Sequence, residues 1–265
     1  MDGARALPRL SFGMGGSVAG PRTLPEEVAV ALCFNGATQA VMMATPADLA
    51  DFAYGFALTE GIATPDQIET LDLVTHPKGI EAQVWLAPTA EARLSARRRT
   101  MTGPVGCGLC GIDSLDQALR EMAPVPPGRY ALSPAQIRAA IASLPGAQPL
   151  HDATRAVHAA GFWTDALQAT REDVGRHNAL DKLAGHLARQ PARIGAVLLT
   201  SRVSIDMVQK VAAMGQPVLI AASAPTAQAV ALADRCGITL IALARPDRFE
   251  VFTHTDRIRE TADVG

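Results

Sequence analysis

The sequence predicts an α/β fold: a sheet with helices packed on its faces, preceded by a smaller α+β unit. Three observations predict it. Toward the C-terminus, short runs rich in Val, Ile and Leu (AVLLTS, PVLIAAS, ITLIALA) alternate with helical stretches, and such alternation implies helices packed on a sheet. These runs are apolar throughout, which fits strands covered on both sides. Nearer the N-terminus, a hairpin pattern, a helix and two more strands form a group of their own within a 265-residue chain, long enough for one large domain or two small ones.

Residues 1–21 are Gly-rich and are expected to form a flexible N-terminal segment. The small α+β domain is expected over 22–98. In EVAVALCFNGATQAVMMATP two β-like runs flank Asn35-Gly36, a pair that tolerates positive φ and marks a hairpin. Thr45-Pro46 opens a helix, PADLADFAYGFALTEG, with proline in its first turn and Gly61 past its end. Strands follow near 70–76 and 80–87, with Gly79 in the turn, and TAEARLSARRR closes the domain as a short helix. The main α/β domain is expected over 99–265. It begins with a cysteine loop, continues into a helix GIDSLDQALREM capped by Asp113 or Ser114, breaks at PVPPG, and resumes with the capped helix SPAQIRAAIASL. GRHNALDKLAGHLAR, SIDMVQKVAAMG and PTAQAVALADRCG are the helices between and before the apolar strands.

Composition narrows the function. Aromatic residues are 4%, too few for a stacking surface that holds single-stranded nucleic acid. A formal net charge of −2 argues against a general polyanion binder; no nucleic-acid partner is expected. The first 20 residues lack the apolar stretch of a signal peptide, and the apolar runs are too short to span a bilayer. A soluble cytoplasmic chain with no membrane partner and reduced thiols is therefore expected.

The stretch GPVGCGLCGID at 103–113 places Cys107 and Cys110 two residues apart among glycines. A permanent disulfide is disfavoured in the cytoplasm. Zinc needs four ligands; one pair is present, and His151, His158 and His177 can complete a site only through the fold. Thiol chemistry needs an exposed thiolate. Glycines clear its approach, and the helix from about 113 turns its positive end toward the pair and lowers the thiol pKa. The loop alone leaves thiol chemistry, metal binding and a structural role open. Cys33 and Cys236 lie in apolar surroundings and are read as buried small hydrophobes.

Two further groups carry polar chemistry. On a helix through ATREDVGRHNALDKL, Asp173, His177 and Asp181 share one face, with Asn178 and Lys182 nearby; this suits acid–base work or a polar ligand, or equally a solvated face with ordinary ion pairs. Three strand ends carry Ser, Thr or Arg: Ser201 and Arg202, Ser223 and Thr226, Arg245 and Arg248. In open α/β sheets ligands sit at such ends, where helix starts accept phosphate; ordinary N-capping explains the Ser and Thr equally well. Arg93, Arg97, Arg98 and Arg99 form a basic helix end, a solvated face or a docking patch for an acidic partner. Ser204 and Lys210 fit no serine–lysine catalytic spacing and are discounted.

Taken together, GCGLCG at 106–111, EDVGRHNALDK at 172–182, SRVSIDMVQK at 201–210, SAPTAQA at 223–229 and NGATQAVMMATPADLADFAYGFALTEGI at 35–62 resemble the signature blocks of the formate dehydrogenase accessory sulfurtransferases, the FdhD family. The resemblance runs from about residue 20 to 253. It implies a three-layer α/β/α, cytidine-deaminase-like main domain behind a smaller α+β domain. It also implies a sulfurtransferase that takes persulfide sulfur from a cysteine desulfurase and passes it to the molybdenum cofactor, bis-molybdopterin guanine dinucleotide, before the cofactor enters the formate dehydrogenase catalytic subunit. The resemblance puts the persulfide on Cys107, makes Cys110 the assisting thiol, and places the cofactor at Leu243, Ala244, Arg245, Pro246, Asp247 and Arg248. Ser201, Arg202, Ser223 and His177 join that site on the residue reading, and no resident metal is expected. Zinc deamination is disfavoured, because no His-x-Glu precedes the cysteine pair and Gly106 stands where proline would. A cofactor-binding chaperone with incidental cysteines and a structural zinc module are the alternatives, and a homodimer is the default assembly. The chain departs from the family pattern at Arg155 and Ala156, where a glycine pair is usual, at Ser201 of Thr-Ser-Arg, where glycine is usual, and at the end of the last strand, where an aromatic is common.

Overall fold

The structure, a computed structural model, describes residues 3–91, 94, 120, 122–126 and 130–259. Cys107, Cys110, Arg93, Arg97, Arg98, Arg99 and the expected boundary at 98/99 lie outside the described residues.

The chain opens with two paired strands, β1 (Ala4–Gly13) and β2 (Gly16–Pro25). A flexible segment over 1–21 was the expectation; the ladder instead runs unbroken past residue 21. Its glycines serve the turn, Gly13 pairing with Gly16, while Pro8 and Pro21 face each other, so both missing N–H donors fall on one rung.

A four-stranded sheet follows, in the order β4-β3-β6-β5. β3 (Val28–Phe34) and β4 (Ala37–Ala44) form the hairpin expected at Asn35-Gly36, whose φ values of 47° and 73° are those the two-residue turn requires. β5 (Ile68–His76) and β6 (Gly79–Leu86) form a second hairpin, and β6 lies parallel to β3. Helix α1 (Leu49–Thr59) covers one face of this sheet with Phe52, Ala53 and Phe56. It begins three residues later than Pro46. Thr45 is otherwise engaged, its N–H donating to Asp173 Oδ2 (3.0 Å) and its carbonyl accepting from Lys182 Nζ (2.9 Å).

The second unit opens with α2 (Pro134–Ser143), capped as expected by Ser133, whose Oγ accepts the Gln136 N–H while Gln136 returns a bond to the Ser133 N–H. A short α3 (Pro149–Thr154) precedes β7 (His158–Trp163) and β8 (Leu167–Asp173). Then come α4 (Arg176–Ala188), β9 (Ala196–Leu199), α5 (Ile205–Ala213), β10 (Val218–Ala221), α6 (Ala227–Arg235), β11 (Thr239–Ala242) and the short β12 (Glu250–Val251). They build one sheet in the order β12-β11-β10-β9-β7-β8, with β9, β10 and β11 parallel and β7 antiparallel to β9. Alternate side chains of each strand enter different cores. Val197, Leu199, Leu219 and Leu240 pack against α4, α5 and α6; Leu198, Val218, Ile220 and Ile241 pack against α2. The result is an α/β/α arrangement of three layers. No helix among the described residues is long and apolar enough to cross a membrane.

The two units meet where α1 crosses α4. Gly55 and Gly185 lie backbone to backbone there: a Cβ on Gly55 would stand 1.7 Å from the Asp181 carbonyl oxygen, and one on Gly185 would stand 1.9 Å from that of Asp51. Only glycine permits this approach.

Candidate ligand site at the strand ends

β9, β10 and β11 are parallel, so the loops that leave them, 200–204, 222–226 and 243–248, gather at one edge of the sheet. The first two are tied by a bridge between Val203 and Pro225. The third is tied to the second: Leu243, at φ 51°, donates its N–H to the Ser223 carbonyl (3.2 Å), and buried Ala244 donates to Ala221 (3.0 Å). Arg245 closes a turn over Pro246 and Asp247 through paired backbone bonds with Arg248 (2.7 and 3.3 Å), and its guanidinium braces the carbonyls of Ala222 and Ala244. Ser201 is turned inward, its hydroxyl donating to the Arg202 carbonyl (3.1 Å). Arg202 and Arg248 are exposed.

The hairpin β7–β8 brings more chemistry to the same edge. Its antiparallel course pairs His158 with Asp173, and places both beside the ends of the parallel strands. One turn later α4 begins with Arg176 and His177. His177 Nε2 ion-pairs with Asp206, in the first turn of α5. Burial would raise the Asp206 carboxyl, but the bond and charge of His177, with help from Ser204, outweigh it and hold the group well below the usual range. His158 is pushed down, first by burial and then by the charges of Arg176, His151 and His177. His158 thus lies within electrostatic reach of His151 and His177, yet no group of His, Cys, Asp and Glu among the described residues is arranged to hold a metal. Arg176 Nε is buried and makes no hydrogen bond to the protein.

The polar run 172–182 behaves differently from the expectation of one helix face. Asp173 ends β8 and does not belong to α4. It is fully buried, ion-pairs with Lys182 (2.6 Å) and accepts bonds from the Gly175 N–H (2.8 Å) and Asn178 Nδ2 (3.0 Å). Asn178 also donates to the Met43 carbonyl (2.8 Å). Asp181, likewise buried, accepts from Thr59 Oγ1 (2.6 Å) and from Lys210 Nζ (2.9 Å), and Lys210 reaches Glu60 as well (3.0 Å). Burial works against the Lys210 ammonium, but Asp181 and Glu60 raise its pKa above the ordinary amine value. Asp173, Asn178, Asp181 and Lys182 are therefore not a solvated face; with Lys210 they form a buried clamp between the two units. A third buried carboxylate, Asp51 on α1, completes it by pairing with Arg171 (2.8 Å) and Arg189. Arg120 donates to the Thr59 carbonyl.

Of the residues expected at the site, Arg202, Ser223, His177 and the stretch 243–248 share the strand-end edge, with Ser201 beneath it. Sequence reasoning missed Arg176 and Asp206 there. The available signal was the Gly175-Arg176 step at a helix start and an acid in the first turn of α5. A separate cavity of about 670 Å³, lined by Leu58, Phe162, Leu187 and Met214 among others, opens at the opposite edge, beside the starts of β9 and β10. Ligands of open α/β sheets favour the carboxyl ends, so the strand-end edge is the candidate site.

Comparison with known proteins agrees with this architecture. A family model described as the FdhD/NarQ family matches residues 25–259. A relative from Agrobacterium fabrum named "Sulfur carrier protein FdhD" is 50% identical over 259 residues, 96% of each chain. One of the same name from Brucella abortus is 51% identical over 263 residues, 97% of this chain and 98% of the relative. A crystal structure from Desulfotalea psychrophila, described as that of "a putative formate dehydrogenase accessory protein", superposes with a TM-score of 0.76 at 29% identity, covering 97% of this chain and all of that one.

Proposed function

Because the chain belongs to the FdhD/NarQ family, we propose that it is a sulfur carrier that serves formate dehydrogenase by sulfurating the molybdenum cofactor. The observation that supports this reading most directly is the cationic strand-end edge. Arg176, Arg202 and Arg248, with His158 and His177, converge there with the starts of α4, α5 and α6. Such an edge suits a ligand with several phosphates, as a dinucleotide-bearing cofactor has. His177, held by Asp206, presents a fixed imidazole to that ligand.

Sulfur would reach the site on Cys107. Its thiolate attacks the outer sulfur of a persulfide on a cysteine desulfurase; that S–S bond breaks, the desulfurase thiolate leaves, and Cys107 becomes the persulfide. The cofactor is the acceptor of that sulfur: the Cys110 thiolate attacks Cys107 Sγ, the persulfide S–S bond breaks, the outer sulfur leaves at the sulfide level for the cofactor, and a Cys107–Cys110 disulfide remains. Arg176, Arg202 and Arg248 hold the phosphates meanwhile.

The test is intact mass after incubation with a cysteine desulfurase and cysteine. Gain of at least one sulfur atom, absent in Cys107→Ala, is the expected result. Unchanged maturation of formate dehydrogenase by Cys107→Ala would reject sulfur transfer and leave a chaperone that only binds the cofactor. Arg176→Ala separates the two functions: it should still take up sulfur and should lose affinity for a guanine dinucleotide.

A further inference from the structure

The cavity at the edge opposite the strand ends has fixed walls. Its volume, about 670 Å³, falls in the range of about 300–1,000 Å³ in which proteins hold small molecules. Leu58, Phe162, Leu187, Ile194 and Met214 make the lining apolar, and Ile194 is 55% exposed. One side is the loop from Gln190 to Gly195, and it is held firmly. Buried Gln216 accepts the Gly195 N–H (2.9 Å) and donates to the carbonyls of Arg193 (3.0 Å) and Met214 (3.3 Å). Gly195 lies close against β7, where an added Cβ would stand 2.3 Å from the Trp163 carbonyl oxygen. A cavity braced in this way is open without rearrangement, which removes an ordering cost from binding.

The charged chemistry on this lining is that of a donor. Arg193 Nη1 donates to a neutral group, Gln168 Oε1 (3.0 Å), and the guanidinium makes no ion pair among the described residues. His186 accepts at Nδ1 from Arg171 Nη2 (2.8 Å), because a guanidinium can only donate. The imidazole proton therefore sits on Nε2. Burial, and then the charge of Arg171, push the His186 pKa down, so at neutral pH the ring is an uncharged donor. No Asp or Glu among the described residues lines the cavity. Asp51 lies 3.8 Å from His186 Nδ1 but is taken up by Arg171 and Arg189. α4 and α5 both end beside the cavity, and N–H groups of the following turns meet carbonyls of their last turns: Gln190 to Leu187 (3.0 Å), Gly215 to Ala212 (2.9 Å) and Gln216 to Val211 (3.3 Å). Carbonyls satisfied in this way offer a cation little.

We propose that this cavity binds a small amphiphilic carboxylate. The apolar body lies among Leu58, Phe162, Leu187 and Met214, and the carboxylate meets the exposed guanidinium of Arg193, with the Nε2–H of His186 as a neutral donor on the same lining. The apolar walls favour the body by removing its surface from water. The unpaired guanidinium favours the anion, for which its planar fork is well shaped. The site is separate from the strand-end edge, and the inference is independent of the sulfur chemistry.

Isothermal titration calorimetry of the full chain tests it, with octanoate as the probe and octanol as its uncharged match. Octanoate should bind as a single molecule per chain. Octanol should bind about tenfold or more weakly, the change that loss of one charge-assisted hydrogen bond produces. Arg193→Gln should weaken octanoate to the level of octanol and leave octanol unchanged. Ala192→Trp, which fills the cavity from an exposed position, should abolish binding of both. Each variant should keep the far-UV circular dichroism of the unaltered chain, because neither residue is in a core. Absence of octanoate binding overturns the proposal. So do equal affinities for octanoate and octanol, an octanoate affinity that Arg193→Gln leaves unchanged, or binding that survives Ala192→Trp and so lies elsewhere.

Discussion

Gly55→Ala adds one methyl group at the crossing of α1 and α4. That carbon would stand 1.7 Å from the Asp181 carbonyl oxygen and 2.8 Å from the Gly185 nitrogen, where nonbonded heavy atoms need about 3.5 Å. Both obstacles are backbone, so no side chain can swing away, and the helices must part by roughly 1.5 Å or more. Bonds that span the border then lengthen out of range: Thr59 to Asp181 at 2.6 Å and Lys182 to the Thr45 carbonyl at 2.9 Å. Overpacking costs about 1–3 kcal/mol, and each weakened bond to a charged group about 1.5–3 kcal/mol. Alanine returns roughly 1 kcal/mol of helix propensity. The net is a loss of about 3 kcal/mol or more, a fall in Tm of about 6–12 °C for a chain of this size. Thermal unfolding followed by circular dichroism measures it. Gly146→Ala is the control, since nothing lies within 4 Å of its added carbon. A Gly55→Ala protein that melts within about 2 °C of the unaltered chain would refute the packing of the two helices.

Other substitutions probe other parts of the clamp and site. Lys182→Met leaves Asp173 buried without its cation and should cost about 3–5 kcal/mol in urea unfolding; adding Asp173→Asn should recover part of that, and an unchanged midpoint in the single variant contradicts the pairing. His158 holds its proton less firmly folded than unfolded. As pH falls below about 6.5, the unfolded chain takes up that proton first and stability declines. His158→Gln should flatten that slope; an identical pH profile would show that His158 is not desolvated. Arg155 sits at φ 61°, so Arg155→Val should cost about 1–2 kcal/mol, whereas Arg155→Gly should be close to neutral, and equal Tm values for the two would count against the left-handed backbone there.

What was legible in the sequence was local. The Asn35-Gly36 hairpin, the Ser133 cap and the alternation from α4 to β11 are each specified by a few adjacent residues, and each formed as read. Cys33 and Cys236 are buried as expected. The β7–β8 hairpin was missed because Thr164 and Asp165 carry no glycine to announce a turn, and Ala-rich 156–169 lacks clear alternation. Missing that hairpin carried Asp173 onto the wrong element. The clamp was illegible for a deeper reason. Asp181 meets Lys210 and Thr59, and Asp173 meets Lys182 and Thr45; separations of up to 128 residues leave no periodic trace. The strand-end edge was proposed as a ligand site from residue types at loop positions; Arg176 was not named there, because its place at the edge follows from where α4 starts.

The buried clamp also decides how the molecule comes apart. Asp51, Asp173, Asp181, Lys182 and Lys210 all lie at the seam between the units, almost without solvent. Pulled half open, the seam would strip water from each charge before supplying its partner, a state that costs several kcal/mol per ion. A loosely docked intermediate is therefore disfavoured, and the two units should lose structure in one step. The chain carries its own reporters, with Trp85 in the first unit and Trp163 in the second as its two tryptophans. Their emission, followed separately in Trp→Phe variants, should trace the same denaturant curve.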